Sequence, residues 1–483
     1  MTKLGFAAAD GRGRLLALAL LTAVAALPVM ACHLDVTDPD IITPDNLSGA
    51  STLPTIRAAA LGDFALSYGG SGADGSSGTE GIIMMGGLLG DEFINSETFP
   101  TRIEIDRRST LVTNGTLTGW FRTISRARRS MEFAAGRFRS LSDTTTNSGL
   151  AEMLSLSGYT YLWFAENWCS GVPISTANPD GSLVFGQPLT RGQMTDTAIA
   201  RFTAALAAAN ALLSTVSTKA TMQNLARIGL ARALLDRGGA TDFATAAATV
   251  SAAPAVPTSF VYLVGYSETT TRENNGVFIA NGNAKRYSVA DGEGINGLRF
   301  RTQGDIRDTV VRLGGTNTGF DSSTPQWDQL RFPDRKTSIP LATGTEARLI
   351  EAENALQLGD TANGGVFYQR LDTLRAHPSG YYWLNPAIPA PTSMPVLTPT
   401  DATTFGGAVN LLFRERALWM WMSAHRLADL RRLARAPYSR PAESVFPTGA
   451  YFKGGLYGTD YNFPVPFEET NNPNFTQCLD RLP

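Results

Sequence analysis

The chain has 483 residues, of which 43% are hydrophobic and 17% charged, with a formal net charge of -2. That supplies a sizeable core for one large or two to three ordinary domains. The near-neutral balance, without a basic stripe interleaved with aromatics, gives no reason to expect nucleic acid as a partner.

The first element is a leader. Lys3, Arg12 and Arg14 precede the apolar run "LLALALLTAVAALP", and small residues follow before Cys32, which is the layout of a secretory signal peptide over residues 1–31. At about 14 residues the run is shorter than the roughly 20 that a membrane-spanning helix needs. "VMAC" resembles a bacterial lipobox, so Cys32 is expected to carry lipid, palmitate included, with residues 32–50 as a tether. Cleavage near Ala31 that leaves Cys32 as a thiol is the alternative, and Met30 is an uncommon occupant of its position. With Cys32 lipidated, Cys169 and Cys478 remain, and an exported chain permits a disulfide between them. Two separately buried thiols are the other possibility. No later apolar run approaches spanning length, so the mature chain is expected to be soluble apart from its anchor.

Residues 68–110 are rich in Gly, Ser, Thr and Asn, and read as an elaborated loop. A scaffold of helix pairs is expected over about 111–251. "GLAEMLSLSGYTYLWFAENW" carries Leu154, Gly158, Tyr161, Leu162, Ala165 and Trp168 at spacings of three and four. A second helix is expected after Thr195, with Asp196 at or near its cap, and a third over "TMQNLARIGLARALLDRGG", ended by Gly238 and Gly239. Residues 252–340 again read as loop with short strands possible. The helical pattern returns over about 341–435 in "TEARLIEAENALQLGD", "GGVFYQRLDTLRA" and the single long helix "AVNLLFRERALWMWMSAHRLADLRRLA", interrupted by a third loop at 378–406. The predicted class is mainly α: tetratricopeptide-like antiparallel helix pairs with a loop-rich irregular portion.

Several segments, in order along the chain, resemble the SusD/RagB-like nutrient-binding outer-membrane lipoproteins. They are "CHLDVTDPDIITPDNL", "GYTYLWFAENWCSGVPI", "EARLIEAENALQLGD", "RERALWMWMSAHRLADLRR" and "YNFPVPFEETNNPNFTQ". The chain departs from the family pattern at Ser423 and Ala424, where an acid and a glycine are commoner, and in the dilute acids Asp35, Asp38 and Asp40 after the lipid cysteine. The resemblance implies one large domain over 51–483 with four helix pairs and a ligand held by the loop-rich part. It also implies lipid anchoring in the outer membrane, with cell-surface exposure expected, and partnership with a SusC-like TonB-dependent transporter that receives a captured oligosaccharide or peptide-like nutrient.

The residues themselves limit the chemistry. Glu415 and Asp429 on one continuous helix would lie about 21 Å apart, beyond the roughly 5 to 10 Å of paired glycosidase carboxylates. His425 and Asp429 offer two metal ligands where a structural site needs about four. His33, His377 and His425 are the only histidines, and no nucleophile-elbow, zincin or P-loop pattern is present. No metal, cofactor or catalytic residue is therefore expected. Asp91, Glu92 and Glu97 leave carboxylate-only glycan chemistry as an alternative, and a protein-binding helical scaffold is another. Sugar rings stack their apolar faces on aromatic side chains, and their hydroxyls need polar partners. On that ground the candidate ligand residues are Tyr68, Trp327, Asp328, Arg331, Tyr381, Tyr382, Trp383 and Asn385, each with loop anchoring as the competing role.

Overall fold

The structure is a computed structural model that describes residues 49–72, 80–178, 182–307, 311–378, 385–388 and 391–483. The leader, Cys32 and Tyr381 to Trp383 lie outside the described residues. The chain divides into two units between Thr52 and Leu53; the first shows a 3-10 turn at Ala50–Thr52. The second carries α1 (Leu53–Gly69), α2 (Ile82–Leu89), β1 (Phe93–Asn95), α3 (Pro100–Asp106), α4 (Gly115–Leu141), α5 (Gly149–Asn167), α6 (Arg191–Ala211), α7 (Lys219–Arg237) and α8 (Asp242–Ser251). Then come β2 (Val261–Val264), β3 (Tyr287–Val289), β4 (Val311–Thr318), β5 (Pro325–Gln329), β6 (Ile339–Thr343), α9 (Gly344–Gln357), α10 (Val366–Ala376), α11 (Ala408–Trp419) and α12 (Arg426–Ala434).

The protein is mainly α. Consecutive helices pack on one another from α4 through α8, and α9 packs on α8, α10 and α11. Where the connection is short, as between α4 and α5, α6 and α7, α7 and α8, and α9 and α10, it makes the pair antiparallel. Small residues let them approach: a Cβ on Gly158 of α5 would sit 2.8 Å from the Phe202 ring of α6, and one on Gly229 of α7 only 2.1 Å from it. The irregular part holds two-stranded antiparallel sheets, β1 with β3, β2 with β6 and β4 with β5. The stretch 68–110, read as loop, contains α2 and α3, and every residue of α2 is buried.

Helix starts follow local hydrogen bonding more than apolar spacing. Helix α6 begins at Arg191 rather than after Thr195, because Thr190 and Gln193 form a reciprocal capping box in which Thr190 Oγ1 accepts the Gln193 amide at 3.2 Å and Gln193 Oε1 accepts the Thr190 amide at 2.9 Å. Asp196 instead pairs with Arg237 at 3.1 Å. At the end of α7, Gly238 adopts φ 71°, the left-handed conformation that stops the helix as expected. Cys169, two residues past α5, is joined to Cys478 by a disulfide with a Cα–Cα distance of 6.0 Å.

The stretch read as one helix over 408–434 is two. It breaks at 420–425, where Met422 and Ala424 take φ of 55° and 61°. No Pro or Gly marks the break; buried groups from distant segments satisfy its backbone instead. Glu92 Oε1 accepts the Met422 amide at 2.8 Å, Arg331 donates to the Trp421 carbonyl, and Arg232 Nη2 donates to the Ala424 carbonyl at 2.7 Å. Each would otherwise be an orphaned buried polar group. The break also separates the charges of the motif into distinct networks. Glu415 faces Arg307 at 2.8 Å and Arg375 at 2.9 Å, whereas Asp429 faces Arg416 at 2.9 Å and Arg432 at 3.1 Å. The separation argued from a continuous helix therefore rests on a premise the fold removes.

Candidate functional site

The irregular half gathers three half-exposed phenylalanines from three loops. Phe99 caps α3, Phe320 lies at the tip of the β4–β5 hairpin, and Phe452 follows Tyr451 near the C-terminus; they are 42%, 53% and 42% exposed. The guanidinium of Arg286 lies 5.3 Å from the Phe99 ring and 5.3 Å from the Phe320 ring, and Lys453 Nζ lies 5.7 Å from the Phe452 ring. Cation–ring contacts of this kind hold exposed rings in place without covering both faces.

Local structure explains why these segments meet. The β1–β3 pairing brings Asn95 opposite Tyr287 and continues through the Ser96 amide to the Arg286 carbonyl at 2.9 Å. The hairpin tip docks on this strand end, the Phe320 amide donating to the Lys285 carbonyl at 2.9 Å and the Asp321 amide to the Ser96 carbonyl at 3.0 Å. Asp321 stiffens the tip by accepting from the amides of Ser323 and Thr324 at 2.9 and 2.8 Å. Lys453 then ties all three loops, donating to Asp321 Oδ2 at 2.8 Å, the Glu97 carbonyl at 2.7 Å and Asn95 Oδ1 at 3.0 Å. Gly454 and Gly455, with φ of 98° and 79°, allow the tight turn that returns the chain behind it.

The charges beneath the rings are spoken for. Glu97 is fully buried between Arg102 at 3.0 Å and Arg286 at 3.1 Å, and burial lifts its carboxyl above the usual range despite both cations. Burial acts the same way on Asp321, but hydrogen bonds from Lys453 and Thr324 outweigh it and hold that carboxyl below the usual range. Behind Phe452, Asp106 accepts the Asn95 amide at 2.7 Å and the Tyr451 hydroxyl at 2.8 Å, and burial pushes its carboxyl up to about 8.

The sequence-derived candidates divide. Tyr68 is not a loop residue: it ends α1 fully buried, its ring stacked 5.3 Å from Trp163 and its hydroxyl donating to the Pro340 carbonyl at 2.6 Å. Arg331 is also interior, spent on the helix break. Asp328 is buried and accepts from Gln326 Nε2 at 3.0 Å. Trp327, on the same hairpin as Phe320, stays half-buried, with Arg301 4.6 Å from its ring. Asn385 anchors its loop beside the hairpin, donating to the Leu330 carbonyl at 2.8 Å. Among the described candidates, only Trp327 still offers part of an aromatic face. Asp91, Glu92 and Glu97 are buried and engaged: Asp91 pairs with Arg426 at 2.5 Å.

No family model matches the chain, and no curated protein does. Solved structures match over most of it. A SusD/RagB family protein from Bacteroides thetaiotaomicron superposes with a TM-score of 0.58 at 12% identity, covering 87% of this chain and 94% of that one. Surface glycan-binding protein A from Bacteroides uniformis gives 0.57 at 12% identity over 88% and 99%. A SusD-like carbohydrate-binding protein from Bacteroides vulgatus gives 0.55 at 15% identity over 80% and 84%. The chain has the SusD-like fold. That is the fold implied by the sequence resemblance, with the helix pairs as frame and the phenylalanine face on the irregular half.

Phe99, Phe320, Phe452, Arg286 and Lys453 do not stand out in the sequence, because each loop contributes a single ring where a binding loop is expected to be dense in aromatics. The available signal was a lone Phe beside a turn former in "SETFPTR", "NTGFDSS" and "AYFKGG". A cavity of about 690 Å³ lies elsewhere, between α1, α5 and β2. Its strongest polar groups are already paired, Arg57 with Glu152 at 2.5 Å and the Tyr262 hydroxyl with Glu152 at 2.9 Å.

Proposed function

We propose that the chain is a nutrient-capture lipoprotein that binds an oligosaccharide on the Phe99–Phe320–Phe452 face and hands it to a SusC-like TonB-dependent transporter in the outer membrane. The observation that carries this reading is the face itself: three part-exposed rings held by fixed cations, with carboxylate and ammonium groups at their margins. Apolar sugar faces stack on such rings while hydroxyls meet the polar margin. The printed names of structures that share the fold, among them a carbohydrate-binding and a surface glycan-binding protein, agree with it. The acids nearest the face are taken up in ion pairs, which favours binding over turnover. Lipid on Cys32 would tether the receptor to the membrane, with cell-surface exposure as part of the proposal. Titration calorimetry against a panel of oligosaccharides and peptides tests it. Saturable binding of an oligosaccharide without turnover is expected, and silence across the panel would overturn it.

A further inference from the structure

On the helical frame, away from the phenylalanine face in sequence and in element, two arginines converge on one carboxylate and a third lies beside them. Arg191 starts α6, Arg431 lies on α12 and Arg435 follows it, and all three line a cavity of about 550 Å³. Asp236 of α7 is the acid shared by two of them, accepting from Arg435 at 2.6 Å and from Arg191 at 3.1 Å. Arg431 has no carboxylate within ion-pair range among the described residues. Its Nη1 donates only to the backbone carbonyls of Ala165 and Trp168, at 2.9 and 3.2 Å, and its Nε has no partner. The residue is 1% exposed, and Nη1 of the neighbouring Arg435 is likewise buried without a partner. One further acid, the exposed Asp480, lines the cavity. Arg431 is therefore the one of the three guanidinium groups with no carboxylate at ion-pair range among the described residues, and it borders an open cleft.

A buried guanidinium without a counterion is unfavourable, and an anion in the cavity would remove that imbalance. Burial and the neighbouring Arg435 both pull the Arg431 pKa down, and the more distant carboxylates of Asp236 and Glu166 offset them only in part. Planar guanidinium forks suit oxyanions, which accept several N–H groups at once. We infer that the cavity bounded by Arg191, Arg431 and Arg435 is an oxyanion site that takes a phosphate or sulfate group, free or carried on a sugar-sized molecule. It is separate from the proposed oligosaccharide face, which is built from other loops and holds its own cations in ion pairs.

The test is calorimetry of the full chain with inorganic phosphate, sulfate and glucose 6-phosphate, at constant ionic strength set by sodium chloride. Saturable uptake of at least one of these at one site per chain is expected. Arg431→Gln should weaken it by about tenfold or more, the scale of losing one partner of a buried charge pair. Arg191→Gln, at a half-buried helix start, provides the same reading if the first variant fails to fold. Asp480→Asn should act in the opposite sense and tighten binding. A tight ester with a weak free ion would identify a carried group, and the reverse a free ion. No saturable response to any probe, or a response indifferent to both arginine variants, would overturn the inference whatever the outcome of the oligosaccharide panel.

Discussion

Replacing Glu92 with Gln tests how the buried break between α11 and α12 is held. The Glu92 carboxyl is 1% exposed and accepts the Met422 amide at 2.8 Å. Burial pushes it up to about 8 from an ordinary 4.5, although that amide and the guanidinium groups of Arg426 and Arg331 favour its charge. A group raised in the folded state contributes stability that is full below its unfolded pKa and lost as pH rises through the folded one. The window here is therefore about pH 4.5 to 8. At roughly 1.4 kcal/mol per unit the shift corresponds to an upper bound of about 5 kcal/mol, and on the order of 2–5 kcal/mol is expected once relaxation is allowed for. Gln keeps a carbonyl oxygen for the Met422 amide and cannot ionise. Urea unfolding of native chain and Glu92→Gln from pH 4.5 to 9 should show little difference at the acid end and a growing advantage for the variant toward pH 8.5. Because both chains share every other titrating group, the difference isolates this carboxyl. A difference that stays flat with pH, or shrinks, would refute the account of the break.

Other perturbations probe the frame and the anchor. Gly229→Leu drives a side chain into the Phe202 ring, where even a Cβ would lie 2.1 Å away; a loss of about 1–3 kcal/mol or more in urea unfolding is expected. Cys478→Ser opens a link between residues 309 apart in sequence, and a loss of about 2–5 kcal/mol should appear under non-reducing conditions and vanish when both chains are reduced. Cys32→Ser should release the chain from membranes in fractionation while leaving oligosaccharide affinity intact; persistent attachment without a transporter present would contradict lipid anchoring.

The readable parts of the fold were those written locally. Gly158 falls in the three-and-four spacing of α5 and lies against the Phe202 ring of α6, and Gly238 marks a helix end by the left-handed turn that glycine takes easily. The capping box of Thr190 and Gln193 was equally local but masked by Gly192, an unattractive helix residue. The break at 420–425 was not readable. "WMWMSAH" carries no breaker, and the groups that satisfy its backbone come from Glu92, Arg232 and Arg331, far away in sequence. The same non-locality explains the site. Tyr68 precedes a glycine run and looks like a loop aromatic, yet it packs on Trp163. Phe99, Phe320 and Phe452 are isolated in sequence and become one face only because Lys453 ties Asn95, Glu97 and Asp321 together.

The central claim is that the exposed rings hold the oligosaccharide. The most direct measurement is calorimetry of the Phe99→Ala, Phe320→Ala double variant against the tightest oligosaccharide of the panel. Both rings are half-exposed, so circular dichroism and the unfolding midpoint should change little. With about 0.5–1.5 kcal/mol expected per stacked ring, affinity should fall by about tenfold or more. Unchanged affinity in a folded double variant would contradict the claim.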